Sequence, residues 1–344
     1  MNHKTLARFT AIFLILITGF SIYQSMTMGT REVVIYTSVD QLFSEPILQG
    51  FERETGIKVR AVYDVEAAKT TGLVNRLIAE KNKPLADVWW NGEIIQTILL
   101  KEMGVLTQYS SPEARNIPSS YVDTEGYWTG FGGRARVLLV NTELISPEDY
   151  PTTIHDLVNG EYEGETIGMA YPIFGTTATH AAALYSVMGE KEAPQFFTGI
   201  RDSSVRIVNG NGVVRDLVVN GELVMGLTDT DDSIGAIKRG ASVEMVFLDQ
   251  GETQMGTLKI PNTVAVIHDG PNPEEARVLV DYLLSVENVE NLVRSGWIQI
   301  PLRELDVEQM YFDASSVRGM DVDYGEVYVF IEQAKRELTE IFVR

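Results

Sequence analysis

Three aspartates, Asp229, Asp231 and Asp232, lie within four residues of one another. Carboxylates this close repel one another unless a cation, N–H donors or solvent offsets their charge. Carboxylate oxygens suit hard metal ions such as Mg²⁺, Ca²⁺ or Mn²⁺. Aspartate is also a favoured helix cap, and Asp231 or Asp232 could cap a helix that begins near Ser233. From these residues alone, a cation site and a helix cap both remain open.

The segment LADVWWNGE at residues 85–93 predicts a buried strand that ends in polar groups. In open α/β sheets, ligands bind beyond the carboxyl ends of the strands, where loops offer N–H groups and side chains. Trp90, Asn91 and Glu93 are therefore candidate ligand-binding residues. The alternative is structural: Trp89 and Trp90 fill the core, and Glu93 caps the helix that follows.

Arg134 and Arg136 lie two residues apart in a segment that predicts a long apolar strand. This spacing places both side chains on the same face of the strand. A guanidinium group offers parallel N–H donors to a carboxylate or a phosphate, so the pair could hold an anion. Structural pairing with acidic side chains is the alternative.

Two glycine-containing loops precede predicted helices. Gly175, Thr176 and Thr177 begin an alanine-rich helix, whose N–H groups and positive end could receive an anion. An ordinary threonine cap fits these residues equally well. Asn209 and Asn211 belong to an Asn-Gly-Asn-Gly loop, in which glycine would allow the backbone to approach a ligand closely. This loop lacks the third glycine of a dinucleotide-binding motif.

Composition restricts the class of protein. A hydrophobic content of 44% is typical of a globular protein. The chain of 344 residues is too long for a single core, so we expect two lobes. The formal net charge of −20 argues against a nucleic-acid partner. The absence of cysteine excludes disulfides, thiolate metal ligands and a lipid-modified cysteine. We expect a monomer that takes a small ligand.

No enzyme motif is evident in the sequence. A nucleophile elbow, an HExxH motif, a P-loop and a cysteine nucleophile are all missing. A pair of carboxylates could still perform acid-base chemistry. We nevertheless expect a binding protein with no catalytic residues and no catalytic cofactor.

Residues 1–30 resemble an export signal. Lys4 and Arg8 precede an apolar run at residues 9–20, which is the order of a secretory signal peptide. The run is short for a membrane span of about 20 residues. No clear cleavage site follows it, so a removed signal peptide and a retained N-terminal anchor both remain open. We expect an exported protein, periplasmic or extracellular, either free or tethered to the membrane.

Strand and helix patterns alternate along the rest of the chain. The β-branched and alternating runs at residues 33–37, 57–63 and 86–90, with helices between them, predict a βαβαβ unit. A second alternation follows from residue 166 onward. We expect lobe 1 to comprise residues 31–130 with 258–344, and lobe 2 to comprise residues 131–257. The glycines at residues 130–133 could act as a hinge where the chain crosses between the lobes.

Six segments in order resemble a known family. They are VVIYTS from residue 33, GFERETGIKV from 50, ADVWWNGE from 86, GRARVLLVN from 133, VNGELVMGL from 219 and SGWIQIPLR from 295. Together they resemble the bacterial extracellular solute-binding proteins of ABC importers, in particular the ferric-ion-binding branch. The resemblance implies an α/β, two-lobed periplasmic-binding-protein-like fold of type II. Each lobe would be a helix-covered mixed sheet, and crossing hinge strands would let the lobes close on one ligand. ABC permease subunits in the membrane are the implied partners.

The resemblance also implies a site. In the ferric relatives, two adjacent tyrosines after the strand that matches residues 223–227 hold iron together with an anion. Here residues 228–232 read TDTDD, without tyrosine. By position, Asp229, Asp231 and Asp232 take the place of these ligands. Two further acids lie at or beside other ligand positions, Asp40 and Glu93, although Asp40 could equally cap its helix.

Two ligands follow from this comparison. The first is an oxygen-ligated metal ion, Fe³⁺ with a bridging anion, held by Asp40, Glu93, Asp229, Asp231 and Asp232. The alternative is a small anionic organic solute, such as a phosphorylated or phosphonate compound, held by the two arginines and the turn at residues 175–177. The expected ligand-binding residues are Ser38, Asn91, Arg134, Arg136, Gly175, Thr176, Thr177, Asn209, Asn211 and Thr230.

Overall fold

The computed structural model describes residues 31–63, 71–307 and 311–342. The expected export signal at residues 1–30 lies outside these ranges, and so does the start of the helix predicted at residues 67–80. No helix within the described ranges is both long and apolar enough to cross a membrane.

The first part of the chain forms the predicted βαβαβ unit. Its elements are β1 (Glu32–Thr37), α1 (Gln41–Thr55), β2 (Lys58–Tyr63), α2 (Thr71–Ala79) and β3 (Val88–Asn91). Strand β1 pairs in parallel with both β2 and β3. Helix α1 ends at Gly56, whose positive φ of 70° suits glycine. Alternation in β3 sends Trp89 and Trp90 into separate apolar clusters, so both tryptophans are core residues.

Strand β5 joins two sheets. After α3 (Ile94–Glu102) and β4 (Leu106–Thr107), β5 runs over Thr129–Asn141. Its first half pairs antiparallel with β10 (Lys259–Ile267), whereas its second half pairs antiparallel with β8 (Met225–Asp229). The change of partner falls between Ala135 and Arg136. Arg134 and Arg136 therefore lie beside the point where β5 crosses from the first sheet to the second.

The second alternation builds the second sheet. Its elements are β6 (Ile167–Ala170), α4 (Gly175–Asp202), β7 (Arg206–Val208), α5 (Asn211–Val219), β8, α6 (Thr230–Lys238) and β9 (Val243–Val246). Strand β6 pairs in parallel with β7 and β8. Helix α4 is interrupted at Gly189, which has a non-helical φ of 82°. The two helices predicted on either side of this glycine are therefore present.

The last part of the chain returns to the first sheet and then crosses the molecule. It comprises β10, α7 (Pro273–Leu284), α8 (Val286–Arg294), β11 (Ile300–Pro301) and α9 (Tyr324–Phe342). Helix α9 packs against α4 and α3, and Glu337 accepts a hydrogen bond from Tyr185 Oη at 2.9 Å. The C-terminal helix thus bonds to a helix of the second sheet. The proposed division into residues 31–130 with 258–344 and residues 131–257 stays a prediction.

The main strand order is β2-β1-β3-β10-β5-β8-β6-β7, with β4, β9 and β11 pairing outside this path. Parallel and antiparallel pairs are mixed, and helices pack against the strands. The predicted fold class, α/β with helix-covered mixed sheets, is confirmed.

The glycines in β5 have a packing role. A Cβ atom at Gly133 would lie 2.2 Å from the backbone oxygen of Ile260, and one at Gly132 would lie 2.4 Å from Cδ1 of Ile298. Both contacts are far below a normal van der Waals separation, so glycine allows β10 and Ile298 to approach. The hinge predicted from these glycines stays a prediction.

Candidate ligand-binding site

A cavity of about 390 Å³ opens between the strand ends of the first sheet and one face of α6. Ser38 follows β1, and Glu93 follows β3. These parallel neighbours end at the same edge of the sheet, which brings the two loops together. The α6 side contributes Asp231, Ile234 and Lys238, whose spacing places them on one helical face. We call this cavity the cleft.

The loops after β1 and β3 are joined by hydrogen bonds. Ser38 Oγ donates to Asn91 Oδ1 at 2.5 Å and accepts from the Gly92 backbone N–H at 3.1 Å. Asn91 is fully buried and supports the cleft wall from behind. Ser38 itself lines the cleft, as does Asp40 at the start of α1.

Asp229 lies at the end of β8 and is buried in an ion pair with Arg136. Arg136 Nη1 donates to Asp229 Oδ1 at 2.7 Å, and the two side chains are 2% and 4% exposed. Oδ2 accepts from Thr176 Oγ1 at 2.6 Å and from Asn211 Nδ2 at 3.0 Å. Burial raises the pKa of Asp229, but the positive charges of Arg136 and Arg134 outweigh it, and the net pKa is lowered. The carboxylate is therefore ionised, and both of its oxygens accept hydrogen bonds.

Asp231 faces the cleft and pairs with Arg134. Nη1 of Arg134 donates to Asp231 Oδ2 at 2.9 Å, while Nη2 donates to the Gly92 carbonyl oxygen at 2.9 Å. Arg134 therefore bridges α6 to the loop that follows β3. Asp231 keeps 41% of its side-chain surface exposed, so one of its oxygens remains accessible to a ligand.

Asp232 also lines the cleft and pairs with a third arginine, Arg215, at 2.8 Å. Burial and the nearby carboxylates of Asp231 and Asp229 raise its pKa to about 6, although Arg215 acts in the opposite direction. Burial is the largest cause of the raised pKa, and the two neighbouring negative charges add to it. The three aspartates of the sequence motif thus have three arginine partners.

The helix-cap interpretation of this motif is wrong in detail. Helix α6 begins at Thr230, with Asp229 in the capping position, and the Asp229 side chain makes no capping hydrogen bond. Asp231 and Asp232 instead lie in the first turn, where negative charge is favourable beside the positive end of the helix.

The predicted metal ligands do not form one coordination shell. One oxygen from each of Asp229, Asp231 and Asp232 lies within 4.8 Å of the others, a separation that a cation could bridge. Among the described residues, neither Asp40 nor Glu93 belongs to such a group. An ion at the three aspartates would also share each carboxylate with an arginine.

Glu93 acts as a helix cap, as one of its two interpretations predicted. Its carboxylate accepts from the backbone N–H groups of Ile95 at 3.0 Å and Gln96 at 3.3 Å. Thr179 on α4 donates to the same carboxylate at 2.9 Å, which links the two sides of the molecule. Burial raises the pKa of Glu93 above its ordinary value, although these hydrogen bonds and Arg134 oppose the shift.

The residues predicted to hold an anion lie mainly behind the cleft. Thr176 and Asn211 bond to Asp229, and Thr177 Oγ1 donates to Asn211 Oδ1 at 3.2 Å. Thr230 Oγ1 accepts from the Ala135 backbone N–H at 3.2 Å. The cleft lining does not include these residues, nor Arg136, Gly175 or Asn209. Gly175 begins α4 with a positive φ of 54°.

Five cleft residues with polar or aromatic side chains were not among those predicted: Phe43, Lys238, Asn262, Trp297 and Gln299. Lys238 follows Asp231 by seven residues on α6, a spacing that could have indicated a shared face. Phe43 follows Asp40 by three residues on α1 in the same way. Trp297 packs edge-on against Trp90, with ring centroids 5.6 Å apart, and only the tertiary structure brings it to the cleft.

Residues 98–324 match the family model of the bacterial extracellular solute-binding proteins, and the chain belongs to this family. The predicted resemblance is therefore confirmed. The Major ferric iron-binding protein of Neisseria meningitidis serogroup B is 23% identical over 269 residues, which cover 76% of this chain and 78% of that protein.

Other relatives carry a different ligand in their names. The Putative 2-aminoethylphosphonate-binding periplasmic protein of Salmonella typhimurium is 23% identical over 299 residues, or 83% of each chain.

Among solved structures, iron-bound HitA from Pseudomonas aeruginosa aligns with a TM-score of 0.78 at 21% identity. That alignment covers 90% of this chain and 99% of HitA, and it shows the same two-lobed fold.

Proposed function

We propose that this protein is the receptor of an ABC importer and that its cleft binds a small organic solute with both an acidic and a cationic group. The observation that carries this proposal is the mixed charge of the cleft. Arg134 and Lys238 line it together with four acids, Asp40, Glu93, Asp231 and Asp232. A solute that carries charges of both signs can pair with groups of each kind.

The size and surface of the cleft support an organic solute. Its volume of about 390 Å³ falls within the range of about 300–1,000 Å³ that is common for small-molecule sites. The rings of Phe43 and Trp297 offer apolar surface on which a hydrocarbon segment can pack. A single metal ion would use neither the volume nor the rings.

Arg134 is the residue best placed to receive the acidic group. Its guanidinium can pair with a phosphonate or a carboxylate through parallel N–H donors. Asp231 now occupies one of these donors, so an acidic ligand group would exchange with that carboxylate. The released Asp231 could then pair with the cationic group of the same solute. An aminophosphonate has both groups, in agreement with the name of the Salmonella relative.

A ferric ion with a bridging anion is the second candidate. It is favoured by the three carboxylates whose oxygens lie within 4.8 Å and by the name of the Neisseria relative. Bound Fe³⁺ would compete with Arg134 and Arg215 for Asp231 and Asp232, and it would lower the raised pKa of Asp232. The two candidates therefore make different demands on Asp231.

Calorimetric titration with 2-aminoethylphosphonate and with ferric citrate tests the proposal. We expect binding of the aminophosphonate, a loss of at least about tenfold in affinity for Arg134→Gln, and full affinity for the exposed control Asp202→Asn. Saturable ferric binding that disappears in Asp231→Asn, with no aminophosphonate binding in the wild type, would establish the second candidate instead.

Closure is tested by a separate experiment. We propose that the two sheets close over the solute, that the protein works outside the cytoplasm, free or membrane-tethered, and that ABC permease subunits then receive the solute. Small-angle scattering should show a decrease in the radius of gyration when the protein is saturated with the solute that binds in the calorimetric titration. An unchanged radius at saturation would refute closure.

A further inference from the structure

The guanidinium of Arg136 is only partly satisfied by protein atoms. Nη1 donates to Asp229 Oδ1 at 2.7 Å and to Asn211 Oδ1 at 3.2 Å. Nε and Nη2 are buried and have no hydrogen-bond partner among the residues that the structure describes. The residue as a whole is 3% exposed. Buried N–H groups are almost always hydrogen-bonded, because leaving one unpaired is unfavourable.

A second buried polar side chain lies at the same place. Arg136 and His180 both line a cavity of about 20 Å³ beneath the crossing of β5. His180 is 7% exposed. Burial and the charge of Arg136 lower the pKa of His180 to about 3, so the imidazole is neutral near pH 7. A neutral imidazole has one nitrogen that accepts and one that donates.

We propose that this cavity is a binding site for one water molecule that accepts a hydrogen bond from Arg136 and donates one to His180. A cavity needs about 10–15 Å³ to hold a single water, and buried waters usually make about three hydrogen bonds. The buried carboxylate of Asp249 and the hydroxyl group of Thr257 line the same cavity and can supply the third partner.

Water fits this cavity better than a small anion. Asp229 already balances the charge of Arg136, so a buried chloride would add an uncompensated negative charge. Asp249 would then face that chloride across a cavity of one-water volume. Water instead satisfies donors and acceptors without a change in net charge.

The proposed water connects three parts of the fold. Arg136 belongs to β5 at the sheet crossing, His180 belongs to α4, and Thr257 precedes β10. Each of these elements also supports the cleft or its rear wall. The water would therefore hold Arg136 in the orientation that pairs it with Asp229, and it is a structural part of the ligand-free receptor.

Two measurements on the wild-type protein test the site. A crystal structure at a resolution that shows ordered solvent should contain one density peak within 3.2 Å, the usual limit for a hydrogen bond, of an Arg136 nitrogen and a His180 nitrogen. Nuclear Overhauser spectra should show transfer from a long-lived water to the Arg136 Nε proton. An empty cavity without this transfer overturns the proposal, and an anomalous bromide peak after a halide soak overturns it in favour of an anion.

A pair of variants tests the contribution of His180. His180→Phe removes the accepting nitrogen, and we expect the folding equilibrium constant to fall by about tenfold because the water loses a partner. The same change at the exposed His268 should leave this constant within about twofold. Transfer from water to Arg136 that is undiminished in folded His180→Phe would show that His180 does not hold the water and would refute the bridge.

Discussion

The ionisation of Asp232 offers a direct test of the electrostatics in the cleft. Its pKa is raised from 3.8 to about 6, first by burial and then by the carboxylates of Asp231 and Asp229. We expect this group to titrate about two units above an exposed aspartate. Asp231→Asn removes one of the two neighbouring negative charges, and we expect the pKa of Asp232 to fall by up to about one unit.

The shift has a defined effect on stability. Because the folded-state pKa lies above the unfolded value, the folded protein binds a proton more tightly between pH 3.8 and about pH 6. This contribution to stability is present at the acidic end of that window and is lost as the pH rises through it. A shift of about two units corresponds to roughly 3 kcal/mol. Relative to the wild type, Asp232→Asn should therefore gain up to roughly 3 kcal/mol between pH 4 and pH 7.

Carbon-13 NMR of the labelled aspartate carboxyl groups measures the pKa directly, with Asp232→Asn supplying the assignment. Titration in the presence of citrate and Ga³⁺, a diamagnetic substitute for Fe³⁺, extends the test to the ligand. A metal-bound carboxylate would remain ionised, and its titration near pH 6 would disappear. An Asp232 that titrates near 3.8 in the ligand-free protein would contradict the argument from burial and repulsion.

Three further predictions concern the network behind the cleft and the sheet crossing. Arg136→Met should lower the free energy of unfolding by about 3–5 kcal/mol, because Asp229 would stay buried without its partner; urea unfolding measures this, and a change under 1 kcal/mol would be inconsistent with it. Gly133→Ala should lower the melting temperature markedly in a thermal scan, because its Cβ would lie 2.2 Å from a backbone oxygen. In the control Gly210→Ala the new Cβ meets no atom within 4 Å, so the melting temperature should be unchanged. The pKa of His180 is lowered from 6.5 to about 3, so its contribution to stability is complete above pH 6.5 and is lost as the pH falls towards 3. His180→Asn should flatten this acid dependence in unfolding curves, and identical slopes for both proteins would refute the assignment.

Local patterns predicted most of the secondary structure. The βαβαβ unit was evident because β-branched runs, helical apolar spacing and the glycine at residue 56 all act over a few residues. Six segments in order also identified the family, since each reflects a local structural requirement. The role of the β5 glycines was less accessible, because the approach of Ile260 and Ile298 depends on residues more than 100 positions away.

The residues of the candidate site were also predictable only in part. The sequence by itself determined which groups could bind a ligand: the aspartates at residues 229–232, the arginine pair and the polar end of β3. Only the tertiary structure decided which of them face the cleft. It places an arginine beside each aspartate. Arg136 is buried behind the cleft, whereas Arg134 lines the cleft together with Lys238 and Trp297. The physical reason is that the charge a ligand meets is a sum over neighbours in space, and these neighbours come from distant parts of the chain.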